Sequence, residues 1–324
     1  MQIQWFPGHM HKARVQIRET LPKVDLLLEV LDARIPFSSE NPMLAEIRGD
    51  KPCLKLMAKS DLADPELTTV WKKYLERSNG VRAEPITTSK KNTIHRLTEV
   101  IVGMLPERKS EKPISTMIVG IPNVGKSTLI NILAKRKIAK TGNEPAVTKG
   151  QQRIKIDDAI TLFDTPGVLW PNVENKNSGL RLAATGAVKD TAMDYADVAF
   201  FAIGYLRLQY PAAIADRYEI ETLPDDTIEL MDLIGKKKGC LRKGGIVDYD
   251  KVSRIFLSEM RSGMLGPLTL ETPEMVEKEI VETAKLVAEK AEKKRKRDAG
   301  RKAAFKEKKG RERRERKGSR KKRR

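Results

Sequence analysis

Thr116-Met-Ile-Val-Gly120 is an apolar, β-branched run that passes without a break into Gly120-Ile-Pro-Asn-Val-Gly125-Lys126-Ser127. This is G-x-x-x-x-G-K-S, with a strand pattern before it and a helical pattern, Thr128 to Lys135, after it. The glycines let successive backbone N–H groups turn inward as a concave nest, and the helix N-terminus adds its positive end. Such a loop cradles a phosphate chain and requires an α/β framework to present it. In it Lys126 reaches the β/γ-phosphates and the Ser127 hydroxyl ligates Mg²⁺. Asn123, Val124, Gly125 and Thr128 complete the phosphate-binding set.

Around this loop the chain alternates short apolar runs with helical stretches. Val24–Leu31, Cys53–Met57, Glu84–Thr88, Thr116–Gly120, Arg153–Ile156 and Ile160–Phe163 read as strands. Pro65–Arg77, Thr93–Met104 and Lys126–Lys135 read as helices between them. The pattern predicts an α/β domain over residues 1–176, a six-stranded and mostly parallel sheet covered by helices. Beyond Asn177 the texture changes to longer helical segments: Tyr195–Tyr210, Thr227–Ile234 and Val252–Met264. A final helix opens at Pro273. Its stripe of Val276, Ile280, Ala284, Val287 and Ala291 is expected to pack on an α-helical domain over 177–292.

Charge locates a third region. The net charge is +19, from 63 Lys+Arg against 44 Asp+Glu. Residues 293–324 hold 20 of those cations and only 4 of the anions, so the rest of the chain is almost neutral. A segment this polar and basic is expected to be a disordered tail, and its natural partner is nucleic acid. One aromatic, Phe305, and no apolar face argue against a membrane surface. No apolar run approaches the roughly 20 residues of a membrane span, and the first residues lack the pattern of a secretory signal. Two distant cysteines, Cys53 and Cys240, exclude a disulfide scaffold or a zinc cluster and point to a reducing cytoplasm.

A second phosphate-side element follows at a fitting distance. Ile160-Thr-Leu-Phe-Asp164-Thr-Pro-Gly167 is a strand ending in D-x-x-G, 38 residues after Lys126. Asp164 is placed to hold Mg²⁺ through water and the Gly167 N–H to contact a γ-phosphate. Between them Thr148 is the candidate switch threonine, adding a hydroxyl to Mg²⁺ once γ-phosphate is present. Guanine is usually read by an [N/T]-K-x-D sequence at the end of a later strand, and none lies downstream of Gly167. Upstream, Cys53-Leu-Lys-Leu-Met57 runs into Ala58-Lys59-Ser60-Asp61, and the next strand ends in Thr88-Ser89-Lys90, where a backbone N–H meets the guanine carbonyl. The base-binding strands therefore precede the phosphate-binding strands, which predicts a circularly permuted P-loop GTPase domain.

This motif order, with Trp5-Phe-Pro-Gly-His9-Met10, Asp32-Ala-Arg-Ile-Pro36, Gly120–Ser127 and Arg261-Ser-Gly-Met-Leu-Gly266, resembles the circularly permuted YlqF/RbgA family of ribosome-assembly GTPases. The resemblance covers about residues 1–292 and leaves out the basic tail. It implies GTP hydrolysis coupled to late maturation of the large ribosomal subunit, with binding to the precursor particle and its rRNA, in the cytoplasm, by a monomer that needs no membrane. It also implies that His9 serves catalysis, alongside Lys126 and Thr148. The residue after D-x-x-G is Val168, which cannot orient the attacking water as a glutamine does, whereas an imidazole can. Asn123 resembles the asparagine of GTPases that bind K⁺ beside the β/γ-phosphates; a plain turn asparagine is the alternative. Two other classes remain open at this level. One is an RNA-binding assembly factor with a weak nucleotide sensor, favoured by Ala58 and the tail. The other is an ATP-using P-loop enzyme, which Asp61 disfavours because a carboxylate repels the N1 lone pair of adenine.

Overall fold

The computed structural model describes residues 8–89, 94, 96–108, 112–136, 138, 152–165, 167, 169 and 175–321. β1 (Leu26–Asp32), β2 (Cys53–Ala58) and β3 (Val81–Pro85) come first. α1 (Gly8–Thr20) precedes them, and α2 (Pro42–Arg48) and α3 (Pro65–Leu75) lie between them. α4 (Leu97–Gly103) leads to β4 (Ile114–Gly120), α5 (Lys126–Leu133), β5 (Gln152–Lys155) and β6 (Ile160–Asp164). The regular elements that follow are helices: α6 (Lys176–Ala184), α7 (Tyr195–Gln209), α8 (Pro211–Tyr218), α9 (Thr227–Lys237), α10 (Tyr249–Ser262) and α11 (Pro273–Lys321).

The six strands form one sheet in the order β3-β2-β1-β4-β6-β5, parallel except for β5. β1 is buried at every residue, as expected of a central strand covered on both faces. Its neighbours β2 and β4 lead away in opposite directions, so the sheet has its switch point between β1 and β4, where ligands settle outside the carboxyl ends of the strands. The register brings those ends level: Asp32 pairs with Ala58, Met57 with Pro85, Val30 with Gly120 and Ile118 with Asp164.

The third strand differs from its expected span. It runs Val81–Pro85 rather than Glu84–Thr88. Pro85 has no N–H to continue a ladder and is tolerated because β3 is an edge strand. Ile86 still donates to the Met57 carbonyl, but Thr88 and Ser89 have left the sheet for a turn.

One hydrophobic core continues from the sheet into the helices, joining Met117, Ile118 and Leu162 with Leu182, Ala183, Ala202, Ile203 and Phe256. Residue 176 thus marks a change of element type and not a break in the core. α6 is buried at every residue from Ser178 to Ala184. It meets the loop after β1 through Glu271, a fully buried carboxylate. Glu271 accepts from Phe37 N (2.6 Å) and Ser38 N (3.0 Å), and from the Ser38 hydroxyl (2.5 Å). Arg181 of α6 lies 3.4 Å from the same carboxylate, and the Ser38 and Ser178 hydroxyls are 3.0 Å apart. No single described helix is long and apolar enough to cross a membrane.

The chain divides after Val276 into two units, residues 1–276 and 277–324. α11 is continuous through Lys321, because Lys, Arg, Glu and Ala are good helix formers and no proline interrupts them after Pro273. An i,i+4 pair, Lys296 with Glu292, adds to this on its surface. Val276, the first residue of the apolar stripe, is buried.

Beneath α2 the sheet buries a charge cluster. Lys55 lies 3.6 Å from Glu29 and hydrogen-bonds Glu40, while Glu29 accepts from Asn41 N. Burial pushes the Glu29 carboxyl up to about 7, against the pull of Lys55. Lys55→Met leaves two carboxylates facing each other and raises the folded-state value of Glu29 further above its unfolded value. Stability is then lost as pH climbs from 4.5 through that value. Urea unfolding is expected to give a loss of about 3–5 kcal/mol at pH 8 and a smaller loss at pH 5.

Candidate guanine-nucleotide site

The phosphate loop is built as its spacing requires. β4 delivers Gly120, and α5 opens at Lys126 with Gly125 as its N-cap at φ +100°, a conformation that L side chains rarely adopt. Asn123 also sits at positive φ (+57°), and its amide donates to the Gly186 carbonyl at 2.9 Å. Val124 is buried, and Ser127 and Thr128 begin the helix half-buried. The loop thus faces the carboxyl edge of the sheet with its helix dipole behind it.

Lys126 and Asp164 meet beneath that loop. The ammonium lies 3.1 Å from Asp164 Oδ1 and donates to the Thr165 carbonyl at 2.5 Å. Both are buried, so desolvation pushes the Lys126 ammonium down and the Asp164 carboxyl up, each partly held back by the other. Asp164 Oδ2 has no hydrogen-bond partner among the described residues. A buried carboxylate oxygen without a donor, at a strand end beside the Ser127 helix start, suits a hard divalent cation. Gly167 closes against the loop: a Cβ there would lie 3.1 Å from Pro122 Cα. A side chain there would push the D-x-x-G turn and the loop apart by a few tenths of an ångström.

The residues expected on the base side stand on the neighbouring strands. Ala58 ends β2, buried, and Lys59 follows at φ +58° with its ammonium 3.0 Å from Asp32. Ser60 N donates to the Ile86 carbonyl, tying this loop to the end of β3, and Asp61 is exposed. Thr88 and Ser89 occupy an exposed turn held by the Thr87 and Ser89 hydroxyls, 2.8 Å apart. Lys90, Thr148 and Val168 lie outside the described residues. His9 falls in the first turn of α1, its side chain also outside them.

Sequence reasoning assigned no role to Asp32, Arg34, Arg181, Arg261 or Glu271, all of them buried or nearly so. One signal was available: two opposite charges, Asp32 and Arg34, directly after a strand that is otherwise almost wholly apolar.

Residues 115–223 match the family described as 50S ribosome-binding GTPase. Ribosome biogenesis GTPase A of Bacillus pumilus is 45% identical over 85% of this chain and 100% of its own length. That of Bacillus cereus is 45% identical over 88% and 99%. The chain belongs to the ribosome biogenesis GTPase A family. Its fold is that of GNP-bound YlqF from T. maritima, with a TM-score of 0.58 and 26% identity over 82% of this chain and 99% of that one. The family settles the class left open by the sequence: a GTPase of ribosome assembly, with a circularly permuted domain.

Ala58 stands where N-K-x-D carries an asparagine, and a methyl group cannot bond the guanine N7. Ala58→Asn is expected to tighten GDP binding about 5- to 150-fold, the worth of one such bond. Isothermal titration checks this, and equal affinities would mean that another group fills the N7 contact.

Proposed function

We propose that this GTPase binds the precursor of the large ribosomal subunit through its rRNA, and that GTP binding and hydrolysis govern that attachment late in assembly. It acts in the cytoplasm as a monomer. The observation that carries the reading is the meeting of both nucleotide loops and D-x-x-G on one sheet edge, directly ahead of the buried helix α6. Residues 59–61 and 88–90 take the base, and residues 123–128 take the phosphates.

Ser127, Thr148 and, through water, Asp164 would hold Mg²⁺, which neutralises charge on the β- and γ-phosphate oxygens. Asn123 would offer its amide oxygen to K⁺, a further positive charge beside the leaving phosphate. Lys126 leaves Asp164 for the phosphates when nucleotide enters, which relieves a buried charge on each side. Val168 cannot orient the attacking water, so His9 does so from the N-terminal segment. The Gly167 N–H meets the γ-phosphate, and its loss on hydrolysis loosens the segment that leads into α6. Arg181 and Glu271 tie α6 to the segment after α10, within the region 177–292 that would face the particle. The 20 cations of residues 293–324 supply sequence-independent attraction to rRNA.

Sedimentation with large-subunit precursors tests this. The protein is expected to pellet with them in a non-hydrolysable GTP analogue and to stay in the supernatant with GDP. His9→Ala should pellet normally and bind GDP normally, while kcat on the particle falls by ~10²–10⁴-fold. Equal pelleting in both nucleotide states would contradict the switch, and unchanged turnover would remove His9 from the chemistry.

A further inference from the structure

The Lys59 ion pair asks for an explanation. Lys59 is not glycine, yet it sits at φ +58°, a region that non-glycine residues seldom occupy. Its side chain crosses the carboxyl ends of β1 and β2 to reach Asp32 Oδ2 at 3.0 Å. Asp32 is almost completely buried, and each of its oxygens accepts two bonds. Oδ1 takes Arg34 N (3.1 Å) and Arg34 Nε (2.9 Å), and Oδ2 takes Arg34 Nη2 (2.8 Å) and Lys59 Nζ. Ser39 Oγ accepts from the Asp32 N–H at 3.0 Å, so the backbone is anchored as well. Burial works to raise the Asp32 carboxyl, and the two cations outweigh it, holding the group well below the usual carboxylate range.

The anchor continues past Arg34. Its Nη1 lies 3.5 Å from the Arg261 carbonyl. The Arg261 guanidinium in turn donates to the Ala184 and Ala183 carbonyls, at 2.9 and 2.8 Å, closing the C-terminus of α6. Two residues on, the Gly186 carbonyl accepts from Asn123 of the phosphate loop. A series of polar contacts therefore runs from the base loop to the phosphate loop, by way of α6 and α10.

We propose that Asp32, fixed by Arg34, is the positioning residue that sets the Lys59 stem against the guanine base, and that Arg261 links that setting to α6. The inference rests on residues 58–61 being the base loop. The two-armed Arg34–Asp32 pair already satisfies both partners. The addition of Lys59, whose side chain is 26% exposed, aims a side chain at the ligand and is not needed to settle the pair. With a methyl group at Ala58, no side chain at the end of β2 ties the base loop down, so the grip on Lys59 comes from β1.

A double-mutant cycle separates positioning from a merely structural role. GDP affinity is measured by isothermal titration for wild type, Lys59→Ala, Asp32→Asn and the pair, with melting of the nucleotide-free proteins as the folding control. Each single change is expected to weaken binding about 5- to 30-fold, the reach of one charge-assisted contact. If Asp32 acts through Lys59, the double variant binds no more than about twofold worse than Lys59→Ala alone. Losses that multiply would overturn the proposal. Should Asp32→Asn not fold, Arg34→Lys keeps a cation on Asp32 without the two-armed bond and enters the same cycle with the same two outcomes. An Asp61→Ala protein that binds GDP as tightly as wild type would show that residues 58–61 are not the base loop, and the proposal would fall with that reading.

Discussion

Glu271 is the point at which the early and late parts of this chain are held together. A carboxylate with no exposed surface is unfavourable unless nearly every lone pair is used. Here two backbone N–H groups, the Ser38 hydroxyl and Arg181 use them. The donors come from the loop after β1 and from α6, and the Trp71 indole of α3 donates to the Glu271 carbonyl. Removing any one partner would leave buried charge behind. The loop that leads to the base side, the helix that follows D-x-x-G and the segment after α10 must therefore stay in register with one another.

The sheet makes this possible because parallel pairing is indifferent to chain order. Five strands end at one edge whether the base loops come before or after the phosphate loop. What the order does change is the sequel to D-x-x-G. In this chain that turn leads into α6 and the helical segment, so a movement at Gly167 has a short covalent path to α6. Lys126 and Asp164 set the resting state of that edge: each neutralises the other in a dry site, and neither is at its most favourable there. On the proposed reading, an incoming phosphate chain with its cation offers both a better partner.

What could be read from the sequence was whatever is written locally. The phosphate loop is eight consecutive residues between a strand and a helix, and Ala58–Asp61 follows an apolar run directly. The strands of the sheet were legible for the same reason, with β3 displaced because Pro85 ends its ladder. The distant partners of the buried charges were not legible. Glu271 and Ser38 are 233 residues apart, Arg34 and Arg261 are 227 apart, and periodicity says nothing about such pairs. Polar residues at those positions read as surface until the fold brings them together. The tail is a different case. Its composition forbids a core, which is a statement about burial, whereas its helix depends on local propensity and i,i+4 charge pairs.

On the proposed reading, a base loop that precedes the phosphate loop completes the guanine site, and Asp61 reads the base. A carboxylate accepts from the N1–H and exocyclic amine of guanine, while an asparagine amide can donate to the carbonyl that xanthine carries in place of that amine. Titrating wild type and Asp61→Asn with GDP and XDP tests this directly. Wild type should prefer GDP and the variant should prefer XDP, each by about tenfold or more, roughly the worth of one charge-assisted hydrogen bond. Two proteins that rank the nucleotides identically would contradict the account.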